Sequence, residues 1–579
     1  FKQKTAYEIR PRDWSSDVCS SDLSRQSSQF SRGARAKRHA RMIATRDAQW
    51  PIAVPVALAT SIILGLLAFV VWIAFARMEH GLIAEPLSLV NFTALFDDDL
   101  AASAARNTLA FALLTVLVAA GFGLPLAWLV ERTDLRGKTA LQALVILGLL
   151  VPGFFTAMGW VLLLHPRIGL INQNLMSWLA LSSAPLPINT VAGMAWVEGL
   201  TLAPLFFLMT SGAFRSMDPA LEEAARMAGA SAWQTAQRVL LPLFVPAVLA
   251  ASIFVFTTAL GAFDVPGVIG LSGRILTFST WLYVKTSAVE GLPDYGLPAA
   301  FGACMLVFSG LVSLGYMRVL ARAHRYQVVT GKAYRPRLAP LGGLVWFAWG
   351  FAGVYVLCAL VLPLLLVVWG ALLPFYQPPS LRALSAVSFA AFDRVPWELV
   401  LRGLGNSLIL AIAAPTLALA VSIAFSWVVL RSKLRFRIAL DAVAFLPHAV
   451  PGIIFALGAV LVALFLLPPW LPLYGSLTLI VLVCATGWIA FGTRVVNASL
   501  MQIHSELEEA GLAAGATRMV VMRRVLMPLM WPALASAWVW LALLALRELT
   551  RAVILSSATN TTLPMITWSL WNGEIGRAH

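Results

Sequence analysis

Eleven apolar runs dominate this sequence, and each is long enough to cross a lipid bilayer. They cover 50–76, 108–130, 140–164, 188–213, 243–262 and 297–320, then 344–370, 407–430, 438–467, 476–493 and 529–546. At about 1.5 Å of rise per residue, ~20 residues of helix match the ~30 Å hydrocarbon layer. Buried backbone polar groups must be satisfied internally at that depth, which helices do. The expectation is an all-α, polytopic membrane protein. Composition agrees: 60% of the 579 residues are hydrophobic and 12% charged, against about a quarter charged in soluble domains.

The net charge of +15 would suit a nucleic-acid partner, but the Lys and Arg residues sit in short segments between apolar runs. Membrane proteins fix their orientation in that way, and no nucleic-acid partner is expected. The basic segments 131–138, 321–337 and 431–437 all fall on the cytoplasmic side if the N-terminus does, which leaves 96–100 and 472–476 outside. Cys19, Cys304, Cys358 and Cys484 are far apart, and His165, His324, His448 and His504 are scattered. Neither pattern reads as a disulfide framework or a metal site. Residues 1–23 resemble a translated sequencing-adapter string, and 574–579 have a similar look. Both are set aside from the fold as artefacts.

The remainder repeats. RNTLAFAL from Arg106 returns as GNSLILAI from Gly405, Trp128 and Arg132 return as Trp427 and Arg431, and Pro152-Gly153 returns as Pro451-Gly452, always 299 residues apart. A duplication at fixed spacing predicts two homologous six-helix domains in tandem. A basic tail covers 24–49, the first domain 50–323, a basic cytoplasmic linker 324–343 and the second domain 344–573. Only five runs lie in the second domain, so its last helix is expected to be missing by truncation.

Between the fourth and fifth runs of each domain lies a second repeat, at 217–246 and 504–532. Glu222, Glu223, Ala224, Gly229, Pro242 and Pro246 recur 286 residues later as Glu508, Glu509, Ala510, Gly515, Pro528 and Pro532. Each copy reads as a short helix at the cytoplasmic surface. Asp218 is placed to cap the first, with Pro219 at the tolerated first position, and Ser505 with Glu508 to form a capping box on the second. Leu221, Ala224, Ala225 and Ala228 make one small-residue stripe, matched by Leu507, Ala510, Gly511 and Ala514. Such a face admits the close approach of a partner. Gly229 and Gly515 permit a left-handed exit. A merely amphipathic connector is the plainer reading of one loop, but two copies in equivalent slots weaken it.

The spacing of Glu223-Ala224-Ala225, Gly229, Val239 and Leu241-Pro242 resembles the "EAA" signature of permeases in ATP-binding-cassette importers. The second copy departs at Gly511 and Met527. The resemblance covers 50–572. It implies that Glu222, Glu223, Ala224, Ala225, Gly229 and Pro242, with Glu508, Glu509, Ala510, Gly511, Gly515 and Pro528, couple the chain to a dimer of ATP-binding subunits. It further implies a multi-pass protein of the bacterial inner membrane, fed by a periplasmic or extracellular solute-binding protein. Such a chain has no cofactor and is not itself an enzyme, its ATPase being a separate subunit. With 259–270 and 326–337, the chain looks most like ferric-iron permeases, near relatives of which carry thiamine or polyamines. Ferric iron is therefore the expected cargo and another small solute the alternative.

Pro152-Gly153 and Pro451-Gly452 read as helix breaks that flex or line a path, or as ordinary kinks. Glu198, Asp264, Asp441 and Glu548 are charges within or at the ends of spans. Burying a charge there costs a few kcal/mol, so Glu198, Asp264 and Glu548 read as path residues or as anchors held by backbone partners. Gly137-Lys138-Thr139 lacks the first glycine of a phosphate loop, since position 132 is arginine, and no nucleotide site is read. An ion-coupled carrier would not need two matched docking helices. A membrane enzyme would need a catalytic cluster, and none is evident.

Overall fold

The structure, a computed structural model, describes residues 50–575 except 80–81, 217–218, 236, 239–240, 288–293, 324–337, 433 and 469. The segments 1–23 and 24–49, Asp218, most of the linker and residues 576–579 lie outside the described residues.

Helix follows wherever the apolar runs predict it. The first half comprises α1 (Trp50–Phe75), α2 (Asp99–Arg132), α3 (Lys138–Leu150), α4 (Gly153–Leu164), α5 (Val191–Ser216), α6 (Pro219–Met227), α7 (Leu241–Leu260), α8 (Phe278–Thr286) and α9 (Gly296–Ala323). The second comprises α10, a span over Gly342–Ala371, then α11 (Trp397–Arg431), α12 (Arg437–Ala449), α13 (Gly452–Phe465), α14 (Leu477–Gln502), α15 (Ser505–Ala513), α16 (Met527–Leu546) and α17 (Leu563–Ile575). Among the described residues, nine helices are long and apolar enough to span, or eleven when each of two bent pairs counts as one. An antiparallel hairpin of β1 (Arg77–Glu79) and β2 (Leu82–Glu85) is the only sheet there.

The second helix of each half is longer than its apolar run, with 34 residues in α2 and 35 in α11. Both helices begin in the charged segments 99–107 and 397–406 that precede the apolar runs. The Asp98 carboxylate accepts from the Leu100 and Ala101 amides at 2.8 and 3.2 Å and starts α2 well before its hydrophobic stretch. The Pro-Gly breaks are sharp: α3 and α4 meet at 93°, α12 and α13 at 101°. The residue before proline is pushed out of the helical region. Val151 and Val450 are accordingly extended (ψ 125° and 136°), and each proline becomes the first residue outside the next helix.

Each half lends its first span to the other. α1 packs on α13, and α10 packs on α4. Equivalent glycines make this possible: a Cβ on Gly159 would lie 2.3 Å from the Pro363 carbonyl oxygen, and one on Gly458 2.7 Å from that of Leu66. The Trp160 indole donates to the Cys358 carbonyl at 3.2 Å and the Tyr376 hydroxyl to that of Leu162 at 3.0 Å. Burial pushes the Tyr376 phenol up to about 12, so it stays a donor. One continuous apolar core runs through both halves. The repeat offset drops from 299 to 286 in the loop after the broken span. There the first half carries an additional helix, Leu170–Leu179. Asn172 fastens it by donating to the carbonyls of Leu164 and Leu186 at 2.7 and 2.9 Å.

Candidate functional site

The two short loop helices, α6 and α15, have nine residues each. Both end as their glycines predict, with Gly229 at φ 82° and Gly515 at φ 87°. The exit closes the same way twice: the Ala230 amide donates to Ala225 at 3.0 Å and the Ala516 amide to Gly511 at 3.1 Å, which satisfies carbonyls left open at a helix end. Ala224, Ala228, Ala510 and Ala514 are exposed, as are Glu223 and Glu509, while Ala225 and Gly511 are half-buried. Leu221 and Leu507 are also exposed. Three of the four positions in each stripe thus face outward, while Ala225 and Gly511 turn partly inward. Pro242 and Pro528 sit in the first turns of α7 and α16, where a missing amide costs nothing. The side chain of Glu222 lies outside the described residues.

The second loop departs from expectation at its start. No capping box forms at Ser505: His504 precedes the helix and makes no side-chain cap. Glu508 turns instead toward Arg431 at the end of α11, 2.6 Å away, and the same guanidinium reaches the Leu500 carbonyl at 3.2 Å. A carboxylate gains more from a guanidinium than from a lone amide. Arg431 thus ties together the ends of α11, α14 and α15. Gly511 has a steric reason, because a Cβ there would lie 2.9 Å from the Val521 side chain.

At the far ends of α7 and α16 a second assembly forms across the seam between the halves. It gathers all seven residues singled out from the breaks and buried charges. A Cβ on Gly153 would lie 3.5 Å from that of Asp264, and Asp264 accepts from the Thr550 hydroxyl at 3.3 Å. Glu198 is 5% exposed, within electrostatic reach of Asp264 and Arg547. Arg547 donates to the Leu149 carbonyl, beside the break at Pro152. On the second half, Glu548 pairs with Arg551 at 2.5 Å and accepts its amide at 3.0 Å. Gly452 and Gly487 press on the Arg551 guanidinium, and Pro451 lies on Gly261. Asp441 stands apart, paired with Arg494 at 3.3 Å, and His448 is stacked on Phe254 with Phe445 tilted against it. Arg547 and Arg551 escaped the sequence reading because they follow directly on an apolar run, where a basic residue reads as an interfacial anchor. The signal for Arg547 was its equivalence to Gly261 at the 286-residue offset. Among the described residues, no group of three or more His, Cys, Asp or Glu side chains is arranged to hold a metal.

A duplicated helical membrane bundle with matched surface helices defines the class: a polytopic transport protein. The profile of the family described as binding-protein-dependent transport system inner membrane component matches residues 122–326 and again 418–572, together more than half the chain. The chain belongs to that family, as the resemblance read from the loops implies. It is 27% identical to the ferric transport system permease protein FbpB of Actinobacillus pleuropneumoniae, over 80% of this chain and 66% of that one. The chain thus spans about two thirds of that relative's length. Against the spermidine/putrescine transport system permease protein PotB of Escherichia coli it is 26% identical over 42% of this chain and 86% of that one. A solved bacterial transporter involved in import of the polysaccharide alginate matches at 20% identity and a TM-score of 0.36, over 51% of this chain and all of that one.

Proposed function

We propose that this chain is the membrane permease of an ATP-driven importer, with α6 and α15 docking on two copies of a separate ATP-hydrolysing subunit. The observation that carries the reading is the pair itself: two exposed helices in equivalent slots, each closed by a left-handed glycine. Small residues on their outer faces let a partner's groove come close. Acidic residues in their first turns suit the helix dipole. The N-terminus and both docking helices face the cytoplasm, in keeping with the basic segments nearby. A binding protein delivers cargo at the opposite face.

ATP draws the two docking helices together, and the halves rock from inward- to outward-facing. Such a switch requires that ATP and the loaded binding protein each favour one state. The seam lined by Pro152, Gly153, Glu198, Asp264, Pro451, Gly452 and Glu548 is the path. Ferric iron is the cargo best supported, because the ferric relative aligns through both halves whereas the polyamine relative aligns with less than half the chain. Nucleotide is bound and hydrolysed by the separate subunit.

Co-purification with the ATP-binding subunit tests the docking claim. Gly229→Trp with Gly515→Trp should abolish it, and retention of the complex would refute the assignment. Uptake of labelled ferric iron in vesicles holding the complete importer and its binding protein tests the cargo. Uptake undiminished without the ATP-binding subunit would remove the importer reading altogether.

A further inference from the structure

Each Pro-Gly break leaves carbonyls at the end of a helix without intrahelical partners, and at membrane depth such groups must be satisfied. The carbonyl of Leu149 is one of them, and its donor is Arg547 of the other half. The pseudo-equivalent of Arg547 is Gly261, and it too meets the opposite break: a Cβ there would lie 2.8 Å from the Pro451 ring. The two equivalent corners of the seam are therefore closed by different means. One is filled by the proline ring seated on bare backbone. The other is held by a guanidinium. Two further contacts cross the seam nearby, Thr550 to Asp264 at 3.3 Å and the Trp568 indole to the Gly267 carbonyl at 3.0 Å.

The segments that make these contacts are moored to their own halves by a repeated pair. Asn107 and Thr108 of α2 hold the Leu276 carbonyl and the Phe278 amide at 3.0 and 2.7 Å. Asn406 and Ser407 of α11 hold the Thr561 carbonyl and the Leu563 amide, both at 2.9 Å. The polar dyad more than two turns into the second helix of each half, where its apolar stretch begins, thus positions the seam.

We infer that Arg547 is the bolt of a gate: its bond to the Leu149 carbonyl, flanked by Glu198 and Asp264, seals the path between the halves. This rests on the permease reading above. Arginine suits the task, since its planar fork donates to a fixed carbonyl while nearby carboxylates stabilise its charge. Drawing the bolt leaves the carbonyl and two carboxylates to water, which is what a solute path needs when open. On the permease reading the docking helices are apart without nucleotide, and the seam separates the two aqueous phases, bolted by Arg547 at one corner and filled by Pro451 on Gly261 at the other.

The full chain, purified and reconstituted into liposomes loaded with a pH-sensitive dye, tests this in the absence of ATP, partner and cargo. Wild type should leak protons no faster than protein-free liposomes. Arg547→Met, which keeps an unbranched apolar stem but loses the donors, should leak about tenfold faster or more, the scale set by losing one charge-assisted hydrogen bond. Arg547→Lys should stay near wild type. A Met variant as tight as wild type overturns the inference. Equal leaks from Lys and Met do so too, since volume rather than the donor would then make the seal. If Arg547→Met is not monodisperse, Arg547→Gln carries the same test: its neutral amide ends two atoms short of the Leu149 carbonyl, a raised leak supports the gate and a tight seal overturns it. The importer reading is judged separately by uptake that needs its ATP-binding subunit, so either can fall alone.

Discussion

The left-handed glycines isolate one physical effect at the residue scale. Nothing lies within 4 Å of a Cβ built on Gly229 or Gly515, so an alanine there suffers backbone strain and no clash. Each Gly→Ala change should cost about 1 kcal/mol, and Gly→Asn less, because asparagine tolerates this conformation. Thermal unfolding of the purified chain checks the order Gly, Asn, Ala. The Arg551–Glu548 pair is the opposite case, a charge pair whose side chains are 15% and 11% exposed. Glu548→Gln strands the guanidinium and should destabilise by about 3–5 kcal/mol. The double change Glu548→Leu with Arg551→Met should recover most of that loss. Equal melting temperatures for wild type and Glu548→Gln would show that Arg551 has another adequate partner. The sequence made Glu548 conspicuous as a charge near a span, but its partner became visible only once the turn after α16 was folded.

Among the elements, α11 links the two assemblies. From Asn406, which moors the gate segment, to Arg431, which grips Glu508, it runs about 38 Å at ~1.5 Å per residue. α11 stays one unbroken helix through Pro415, and on the permease reading it carries motion of α15 to the seam. Arg431→Met removes the grip and leaves the exposed face of α15 intact. The complex should still assemble and hydrolyse ATP, while cargo moved per ATP falls several-fold, because the surviving contacts are weaker than a charge-assisted pair. Unchanged transport per ATP would exclude α11 as the linkage. Part of this element was readable: apolar length announced its membrane-crossing part, and the repeated asparagine marked where that part starts, nine residues after the helix itself begins at Trp397. Its polar extension was not, since hydropathy is blind to helix that continues outside the apolar layer. The breaks were readable for a local reason, as Pro-Gly cannot continue a helix. Their right-angled geometry belongs to tertiary packing.

For the whole molecule, the exchange of first spans decides whether the halves are separable. The repeat suggests two self-contained domains, yet α1 completes the second half and α10 the first. Periodicity could not reveal this, because an apolar face is the same whether it meets its own half or the other. The signal that was present is small: Gly159 and Gly458 recur 299 residues apart in the arm after each break, where a packing face would ordinarily carry larger side chains. Each admits a backbone from the opposite half closer than any Cβ allows. Halves expressed as two chains, divided within the linker, should therefore be unstable alone and co-purify when made together. Gly159→Leu should abolish that association, since its first added carbon already falls 2.3 Å from the Pro363 oxygen. Gly350→Leu is the control, because nothing lies within 4 Å of a Cβ on Gly350. Should the halves stay together with leucine at 159, the glycine contact is not what joins them, and the indole and phenol bonds of Trp160 and Tyr376 must carry the interface.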